Sequence, residues 1–219
     1  IAASRPPSSA MPRHLSRLFV LLLACAGAAA SAQSAPAPAP DAALRDAFIA
    51  EAGEKYGLER DEVEAWLAQS QYKQGIVDAM SRPAEAVKPW KDYRPIFISD
   101  RRIREGQAFV AKHRDQLQSV AESTGVPAEM ITAIIGVETS YGGNTGSHRV
   151  LDALYTLGFF YPVSGKPEQV EREAMRGRFF RDELMQVMLL AKEEKLDLPA
   201  RKGSYAGAMG YGQFMPSSY

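Results

Sequence analysis

Residues 130–143 read Met-Ile-Thr-Ala-Ile-Ile-Gly-Val-Glu-Thr-Ser-Tyr-Gly-Gly, a stretch that predicts a helix at the centre of the fold. Four of its residues share one helical face, at the spacing i, i+3, i+4 and i+7: Ile131, Ile134, Ile135 and Glu138. The three isoleucines are typical of a face that packs against a hydrophobic core. The fourth position is a carboxylic acid, so the pattern predicts one acid at the end of a buried apolar stripe.

Glu138 is therefore the candidate catalytic residue. Pro127 suits the first turn of this helix, and the glycines at 142–143 predict its end, so Glu138 would lie at the C-terminal end of the helix. Burial and the negative end of the helix dipole would there raise the pKa of its carboxyl group. An acid that is still protonated near neutral pH can act as a general acid. The same spacing also fits a solvated or ion-paired surface acid.

The composition indicates an ordinary globular protein with room for one sizeable domain. The chain has 219 residues, of which 46% are hydrophobic and 24% charged, and its formal net charge is zero. Because a nucleic-acid-binding surface needs a basic excess, the balance argues against a nucleic-acid partner. A single cysteine excludes an internal disulfide, and no Cys/His cluster has the spacing of a zinc site.

The N-terminal part has the features of a secretory signal. Within residues 11–32, a positively charged start precedes an apolar run at 18–30, which is too short to span a bilayer comfortably. Ala-Ser-Ala at 30–32 fits a cleavage site. We therefore interpret residues 1–32 as an upstream extension and signal peptide, and we expect an exported, periplasmic protein.

Cys25 allows an alternative to simple cleavage of the signal peptide. Leu-Leu-Ala-Cys at 22–25 resembles a bacterial lipoprotein box, in which case an acylated Cys25 would attach the protein to the outer membrane.

Residues 33–40 alternate Ala and Pro and predict a semi-rigid linker. The remaining residues, 41–219, are assigned to the folded domain.

Helical spacing continues through that domain, with no convincing alternating strands, so we predict a mainly α fold. Apolar spacing predicts helices over 41–57, 100–123, 151–160 and 179–194, together with one capped by Asp61 and Glu64. Three prolines predict an irregular stretch at 81–97, and polar residues predict a loop at 163–175. The expected inward positions are Ile103, Phe109, Val110, Leu117, Val120, Phe180, Leu184, Val187, Met188 and Ala191.

Residues 203–219 form a second motif, Gly-Ser-Tyr-Ala-Gly-Ala-Met-Gly-Tyr-Gly-Gln-Phe-Met-Pro-Ser-Ser-Tyr. Its small residues permit close approach of the backbone to a ligand or to another part of the chain. Hydrogen bonds and aromatic faces that suit a sugar are offered by Ser204, Tyr205, Tyr211 and Gln213. A phosphate-binding loop is excluded because no βαβ unit precedes it and no Lys-Ser/Thr follows. A tight helix–loop packing motif is the other interpretation.

Residues 134–142 and 203–219, taken together, closely resemble the lytic murein transglycosylase B family. The resemblance runs from about residue 41 to the end of the chain, and the segment Trp-Lys-Asp-Tyr-Arg-Pro-Ile-Phe at 90–97 shares it. The soluble lytic transglycosylases and goose-type lysozyme are more distantly similar through a Gly-x-x-Gln-x-Met-Pro signature. The resemblance implies a lysozyme-like α domain.

The resemblance also implies roles for particular residues. Glu138 matches the single catalytic glutamate of the family, and Ser204 and Gln213 match polar residues that line the sugar site beside it. Tyr93 matches an aromatic residue of the substrate cleft. Tyr141 stands where the family accepts Tyr or Trp. Family members bind peptidoglycan glycan strands, which are the implied partner of this chain.

The implied reaction cleaves the β-1,4 bond between N-acetylmuramic acid and N-acetylglucosamine and leaves 1,6-anhydromuramic acid ends. Ordinary glycosidases need two carboxylates, whereas a substrate-assisted route needs one, and the stripe around Glu138 carries only one. Asp152 is the next acid: it either caps the following helix or activates water in a lysozyme-like muramidase. A non-catalytic peptidoglycan-binding or scaffolding module is the third alternative.

The chain stops at Tyr219, inside the second motif, so we expect the C-terminal part of the catalytic domain to lie outside it. The calcium-binding loop of the family would then also lie beyond Tyr219. No Asp-x-Asp-x-Asp-Gly loop occurs in the 219 residues. We therefore expect no metal and no cofactor in this chain.

Overall fold

The computed structural model describes residues 37–82 and 88–219. The predicted signal segment and Cys25 lie outside the described residues. The helices in the described ranges are α1 (Ala42–Tyr56), α2 (Arg60–Gln69), α3 (Gln74–Ser81), α4 (Trp90–Phe97), α5 (Asp100–Lys112), α6 (Arg114–Thr124), α7 (Ala128–Thr139), α8 (Val150–Phe159) and α9 (Val170–Glu193). Strands β1 (His148–Arg149) and β2 (Lys202–Gly203) and the 3-10 helices Pro167–Gln169, Leu198–Ala200 and Pro216–Ser218 complete these ranges. The prediction of a mainly α fold is confirmed.

Helices α8 and α9 form the centre of the hydrophobic core. Residues 150–158 of α8 are all buried, as expected for a helix that is apolar on every side. The long helix α9 packs along α8 and buries its apolar side. The five predicted inward positions of α9 are confirmed, and Met185 joins them: Phe180, Leu184, Met185, Val187, Met188 and Ala191.

The first three helices cover this pair. They contribute buried side chains to the same core: Phe48, Ile49 and Ala52 from α1, Val63 and Leu67 from α2, and Ile76 from α3. Helix α1 ends at Gly57, as predicted, in a left-handed conformation with φ of 62°. The predicted cap of α2 is wrong by two residues, since the amide of Glu59 donates to Glu62 Oε2 at 3.4 Å.

Helices α5, α6 and α7 form a second group that carries residues 130–143. The single helix predicted over 100–123 is wrong, because the chain breaks at His113, where φ is −113° and ψ is 21°. The break turns only part of the predicted apolar stripe inward. Phe109 and Leu117 are buried as predicted, whereas three predicted inward residues are exposed: Ile103, Val110 and Val120.

The irregular stretch predicted at 81–97 is also corrected, because residues 90–97 form helix α4. This helix has only two turns, so the backbone donor that Pro95 lacks costs it a single hydrogen bond. None of its residues is buried. The loop predicted at 163–175 is correct only as far as residue 166, because a 3-10 helix occupies Pro167–Gln169 and α9 begins at Val170.

No single helix in the described part of the chain has both the length and the hydropathy of a membrane span. Helices α6 and α7 reach these limits only as a pair, and the pair is bent by 116°.

Candidate active site

Glu138 lies in the last turn of α7 and is exposed to solvent. Its side chain has no hydrogen bond or ion pair with any described residue. The predicted burial of its stripe is wrong, because Ile131 and Ile135 are half-buried and Ile134 is 46% exposed. Burial by the described residues therefore does not supply the desolvation that the sequence predicts. The acid is instead presented at the surface, where a ligand can reach it.

The buried face of α7 is formed by small and hydroxyl-bearing residues. Thr132, Gly136 and Thr139, at the spacing i, i+4 and i+7, are the buried residues of this helix, which packs against α5 and α6. Apolar spacing could not reveal this face, because none of the three side chains is hydrophobic. The recurrence of small residues at helical spacing is the signal that would have found it.

The helix ends earlier than predicted. Ser140 (φ 52°) and Tyr141 (φ 60°) both adopt the left-handed conformation, so the chain turns before the glycines at 142–143. Residues other than glycine hold this conformation only when their surroundings enforce it. Here Tyr141 is enforced by packing: its ring folds back into a slot between Gly106 of α5 and Gly136 of α7.

Arg102 connects this turn to the aromatic helix α4. Its Nη1 donates to the carbonyl oxygen of Gly136 at 2.5 Å, and its guanidinium lies 5.7 Å from the centre of the Phe97 ring. The Phe97 ring lies 5.1 Å from the ring of Tyr93, which is 45% exposed. Trp90 continues the row, with ring centres 6.3 Å apart. The predicted cleft residue Tyr93 thus belongs to an exposed aromatic row that Arg102 ties to α7.

Thr139 joins the two sequence motifs directly. Its Oγ1 lies 3.0 Å from the carbonyl oxygen of Tyr211 and 3.1 Å from that of Ile135, and either oxygen can accept its one hydrogen. The amide of Gly142 donates to the same Oγ1 at 3.0 Å. Residue type and spacing do not single out Thr139, although it is the residue next to Glu138.

Backbone contacts bring the rest of the second motif to the loop after α7. Strands β1 and β2 pair antiparallel, with His148 opposite Gly203 and Arg149 opposite Lys202. At Gly146, where φ is 95°, a Cβ atom would lie 2.6 Å from the amide nitrogen of Ser204. This approach of the two backbones therefore requires glycine.

The two predicted sugar-binding residues are held by the backbone around them. Ser204 Oγ accepts from the amides of Ala206 and Ala208 at 3.2 and 3.1 Å. Gln213 Nε2 donates to the carbonyl oxygens of Thr145 and Gly210 at 3.2 and 3.0 Å. Among described residues, the Ser204 hydroxyl donates to no acceptor and Gln213 Oε1 accepts from no donor. Both groups are oriented and retain one free hydrogen-bonding function.

Asp152 is fixed inside the fold. It lies in the first turn of α8, is 2% exposed, and accepts from Arg149 Nη1 at 2.9 Å and from the amide of Gln71 at 3.0 Å. The prediction that it caps α8 is wrong, since Arg149 occupies the N-cap position. Its bonds instead tie α8 to the chain between α2 and α3. An acid so enclosed is badly placed to activate water for a substrate.

Glu183 is the other buried acid in the described part of the chain. This residue of α9 is 2% exposed and accepts from the amide of Ser217 at 2.9 Å and from its hydroxyl at 2.6 Å. It thereby anchors the C-terminal end of the second motif. Tyr219 adds a further anchor by donating its hydroxyl to the carbonyl oxygen of Met209 at 3.0 Å, and burial raises the pKa of its phenol.

Within residues 37–82 and 88–219, no three His, Cys, Asp or Glu side chains lie close enough together to hold a metal ion.

The chain is similar to known enzymes of the bacterial cell wall. Residues 41–219 match the family described as Transglycosylase SLT domain. The chain is 38% identical over 181 residues to membrane-bound lytic murein transglycosylase B of Escherichia coli (strain K12), which covers 78% of this chain and 47% of that protein. Soluble lytic transglycosylase SltB1 from Pseudomonas aeruginosa is 49% identical with a TM-score of 0.71, over 80% of this chain and 55% of that chain.

A third relative has been solved with a ligand. SltB3 from Pseudomonas aeruginosa, in complex with NAG-anhNAM-pentapeptide, is 27% identical with a TM-score of 0.68, over 80% of this chain and 43% of that chain. The fold is thus that of the lysozyme-like lytic transglycosylases. The chain belongs to the Transglycosylase SLT domain family, which confirms the resemblance found in the sequence. It spans about half the length of the relatives it matches.

Proposed function

We propose that the protein is a peptidoglycan lytic transglycosylase in which Glu138 is the single general acid and base. The observation that carries this proposal is the position of Glu138, an exposed acid that forms no ion pair with any described residue and precedes Thr139, through which the two sequence motifs contact each other. Family membership supports it, as do the lytic transglycosylase names of the relatives. The substrate is the β-1,4 bond between N-acetylmuramic acid and N-acetylglucosamine.

The reaction needs one proton donor that later accepts a proton. Glu138, protonated, donates to the glycosidic oxygen as the bond from C1 of the muramic residue breaks, and N-acetylglucosamine leaves. The 2-acetamido group of the substrate stabilises the positive charge that develops at C1. The C6 hydroxyl of the same sugar then closes on C1 and gives its proton to the Glu138 carboxylate. The products are a 1,6-anhydromuramic end and a protonated Glu138, without consumption of water.

Among the described residues, neither of the two buried acids is available as the second carboxylate of a hydrolysis, which supports the single-acid route. Asp152 is buried and bonded to Arg149 and Gln71, and Glu183 is buried and bonded to Ser217. A muramidase with an inverting mechanism would need a second carboxylate about 6.5–9.5 Å from the first, free to activate water. Neither of these two acids has that freedom.

Ser204, Gln213 and Tyr93 are assigned to substrate binding. The free hydroxyl hydrogen of Ser204 can donate to a sugar oxygen, and Gln213 Oε1 can accept from a hydroxyl or acetamido N–H group. Both side chains are already oriented by backbone bonds, which lowers the entropy cost of binding. Tyr93 offers an exposed aromatic face on which a sugar ring can lie.

Peptidoglycan glycan strands are accordingly the proposed partner, and the periplasm is the proposed location. The relative from Escherichia coli is called membrane-bound, which supports an envelope-associated protein. Attachment through Cys25 stays a prediction, as does the absence of a cofactor in this chain.

Product analysis tests the proposal. Purified peptidoglycan is digested with the full-length protein, and the released fragments are identified by mass spectrometry. We expect anhydro-ended fragments, each lighter by one water than its hydrolytic counterpart. Reducing ends would identify a muramidase, and firm binding without products would identify a binding module.

Glu138→Gln is the decisive variant. It keeps the size of the side chain but removes the ionisable proton, so turnover should fall by about 10²-fold or more. Glu129→Gln is the matched control, because Glu129 is also exposed but lies at the opposite end of α7. Wild-type turnover in Glu138→Gln, or an equal loss in the control, would contradict the assignment.

A further inference from the structure

Thr139, the residue after Glu138, forms more hydrogen-bond contacts than a threonine in a helix requires. Thr139 is 1% exposed, and its Oγ1 contacts three backbone groups: the carbonyl of Ile135 in α7, the amide of Gly142 in the loop, and the carbonyl of Tyr211 in the second motif. Only the first of these contacts lies within the helix. The other two bind the end of α7 to parts of the chain that surround the candidate site.

Thr132 provides an internal comparison on the same helix. It is also buried, at 8% exposure, and its Oγ1 donates to the carbonyl of Ala128 four residues earlier, at 2.8 Å. This is the back-bond that serine and threonine commonly form in helices. Among described residues, Thr132 Oγ1 has no other partner, so the contacts of Thr139 to Gly142 and Tyr211 are an addition to the common pattern.

Those two contacts act on the geometry of Glu138. The bond to Gly142 closes the turn that holds Ser140 and Tyr141 in the left-handed conformation. The bond to Tyr211 sets the distance between the last turn of α7 and the loop that carries Gln213 two residues later. If the hydroxyl is removed, the part-buried amide of Gly142 and the carbonyl of Tyr211 lose a partner, which favours a shift of the turn.

We propose that Thr139 is a positioning residue that keeps the Glu138 carboxylate at a fixed position relative to the sugar-binding residues Ser204 and Gln213. This inference rests on the proposed transglycosylase function. It assigns to Thr139 no contact with the substrate. Because displacement of a catalytic group by about 1 Å can lower the rate about 10²-fold, its loss should reduce kcat much more than it changes KM.

The test compares four variants of the full-length protein on purified peptidoglycan, with kcat and KM measured from the release of anhydro-ended fragments. Thr139→Val has nearly the same shape without a hydroxyl, and we expect its kcat to fall by about 10- to 100-fold with KM nearly unchanged. Thr139→Ser keeps the hydroxyl and should restore kcat to near the wild-type value. Thr139→Cys, with a weaker hydrogen-bonding group, should lie between them. Thr132→Val is the matched control and should keep the wild-type kcat, even if its melting temperature falls.

Several results would overturn the inference. These are a wild-type kcat in Thr139→Val, a failure of Thr139→Ser to restore activity, or a kcat loss in Thr132→Val as large as that in Thr139→Val. If Thr139→Val does not fold, the order of kcat between Thr139→Ser and Thr139→Cys decides the question in the same way. Absence of anhydro products from the wild-type protein would contradict the proposed function instead, so the two failures are distinguishable.

Discussion

Tyr141 determines the shape of the chain just after Glu138. Its ring occupies a slot whose two walls are the backbones of Gly106 and Gly136, and the left-handed turn at Ser140 and Tyr141 directs it there. A Cβ atom at Gly136 would lie 2.7 Å from Tyr141 Cε1, closer than carbon atoms pack. The position of the acid therefore depends on a residue that has no side chain.

Gly136→Ala should destabilise the protein by about 1–3 kcal/mol, because the added methyl group overpacks the slot and forces the Tyr141 ring out. Turnover should fall as well, since the turn that follows Glu138 moves with the ring. Gly75→Ala is the control: Gly75 lies in α3, and a Cβ atom there meets nothing within 4 Å. It should change the free energy of unfolding by less than about 1 kcal/mol.

Chemical denaturation of both variants measures the difference. Equal stability of Gly136→Ala and Gly75→Ala would contradict the role of the slot.

At this scale the sequence identified the acid but not its surroundings. The motif around Glu138 could be recognised from residue types alone. The functions of Gly136 and Thr139 could not, because they depend on a left-handed turn at Ser140 and on a carbonyl of Tyr211, which is far away in the sequence. The burial of Ile134 was predicted from spacing, yet the helix packs through the opposite, small-residue face.

At the scale of elements, helix α9 holds the C-terminal end of the second motif in place. Glu183 projects from this long helix and accepts both hydrogen bonds of Ser217, in the 3-10 helix Pro216–Ser218. Two parts of the chain that are distant in sequence are thereby joined by one buried side chain.

Glu183→Leu should release the Pro216–Ser218 turn and cost about 1–3 kcal/mol, since the part-buried hydrogen bonds from the amide and hydroxyl of Ser217 lose their acceptor. Glu183→Gln is the matched control. Its amide oxygen can still accept from the Ser217 amide, and the Ser217 hydroxyl can rotate to accept from the new NH₂ group, so the loss should be small.

Hydrogen exchange at the Ser217 amide reports this link directly. We expect faster exchange in Glu183→Leu than in Glu183→Gln, and the same rate in both would contradict the anchoring role.

The positions of the long helices were largely predictable, because α1, α7, α8 and most of α9 have clear apolar spacing. The breaks between helices were not predictable. His113 interrupts a stretch with continuous helical spacing, and nothing in its residue types marks the change of direction between α5 and α6. Conversely, α4 forms in spite of Pro95, because a two-turn helix loses only one hydrogen bond to it.

At the scale of the whole molecule, the α8–α9 core and the α5–α7 group meet where residues 139–149 contact residues 202–213. The contacts are the paired strands, the approach of Gly146 to Ser204 and the hydroxyl of Thr139. Glu138 lies at this junction with its carboxylate exposed, and the aromatic row of α4 is tied to it through Arg102. A substrate-assisted cleavage requires one such acid, and Glu138 has no hydrogen bond or ion pair with any described residue.

The single-acid mechanism is tested most directly by an isotope experiment. Peptidoglycan is digested with the full-length protein in water enriched in the heavy isotope of oxygen. If the C6 hydroxyl of the substrate closes on C1, as we propose, the muramic ends are anhydro and carry no oxygen from the solvent. Glu138→Gln should release almost none of them. Reducing ends that each carry one heavy oxygen atom would contradict the account, because solvent water would then be the nucleophile and a second group would have to activate it.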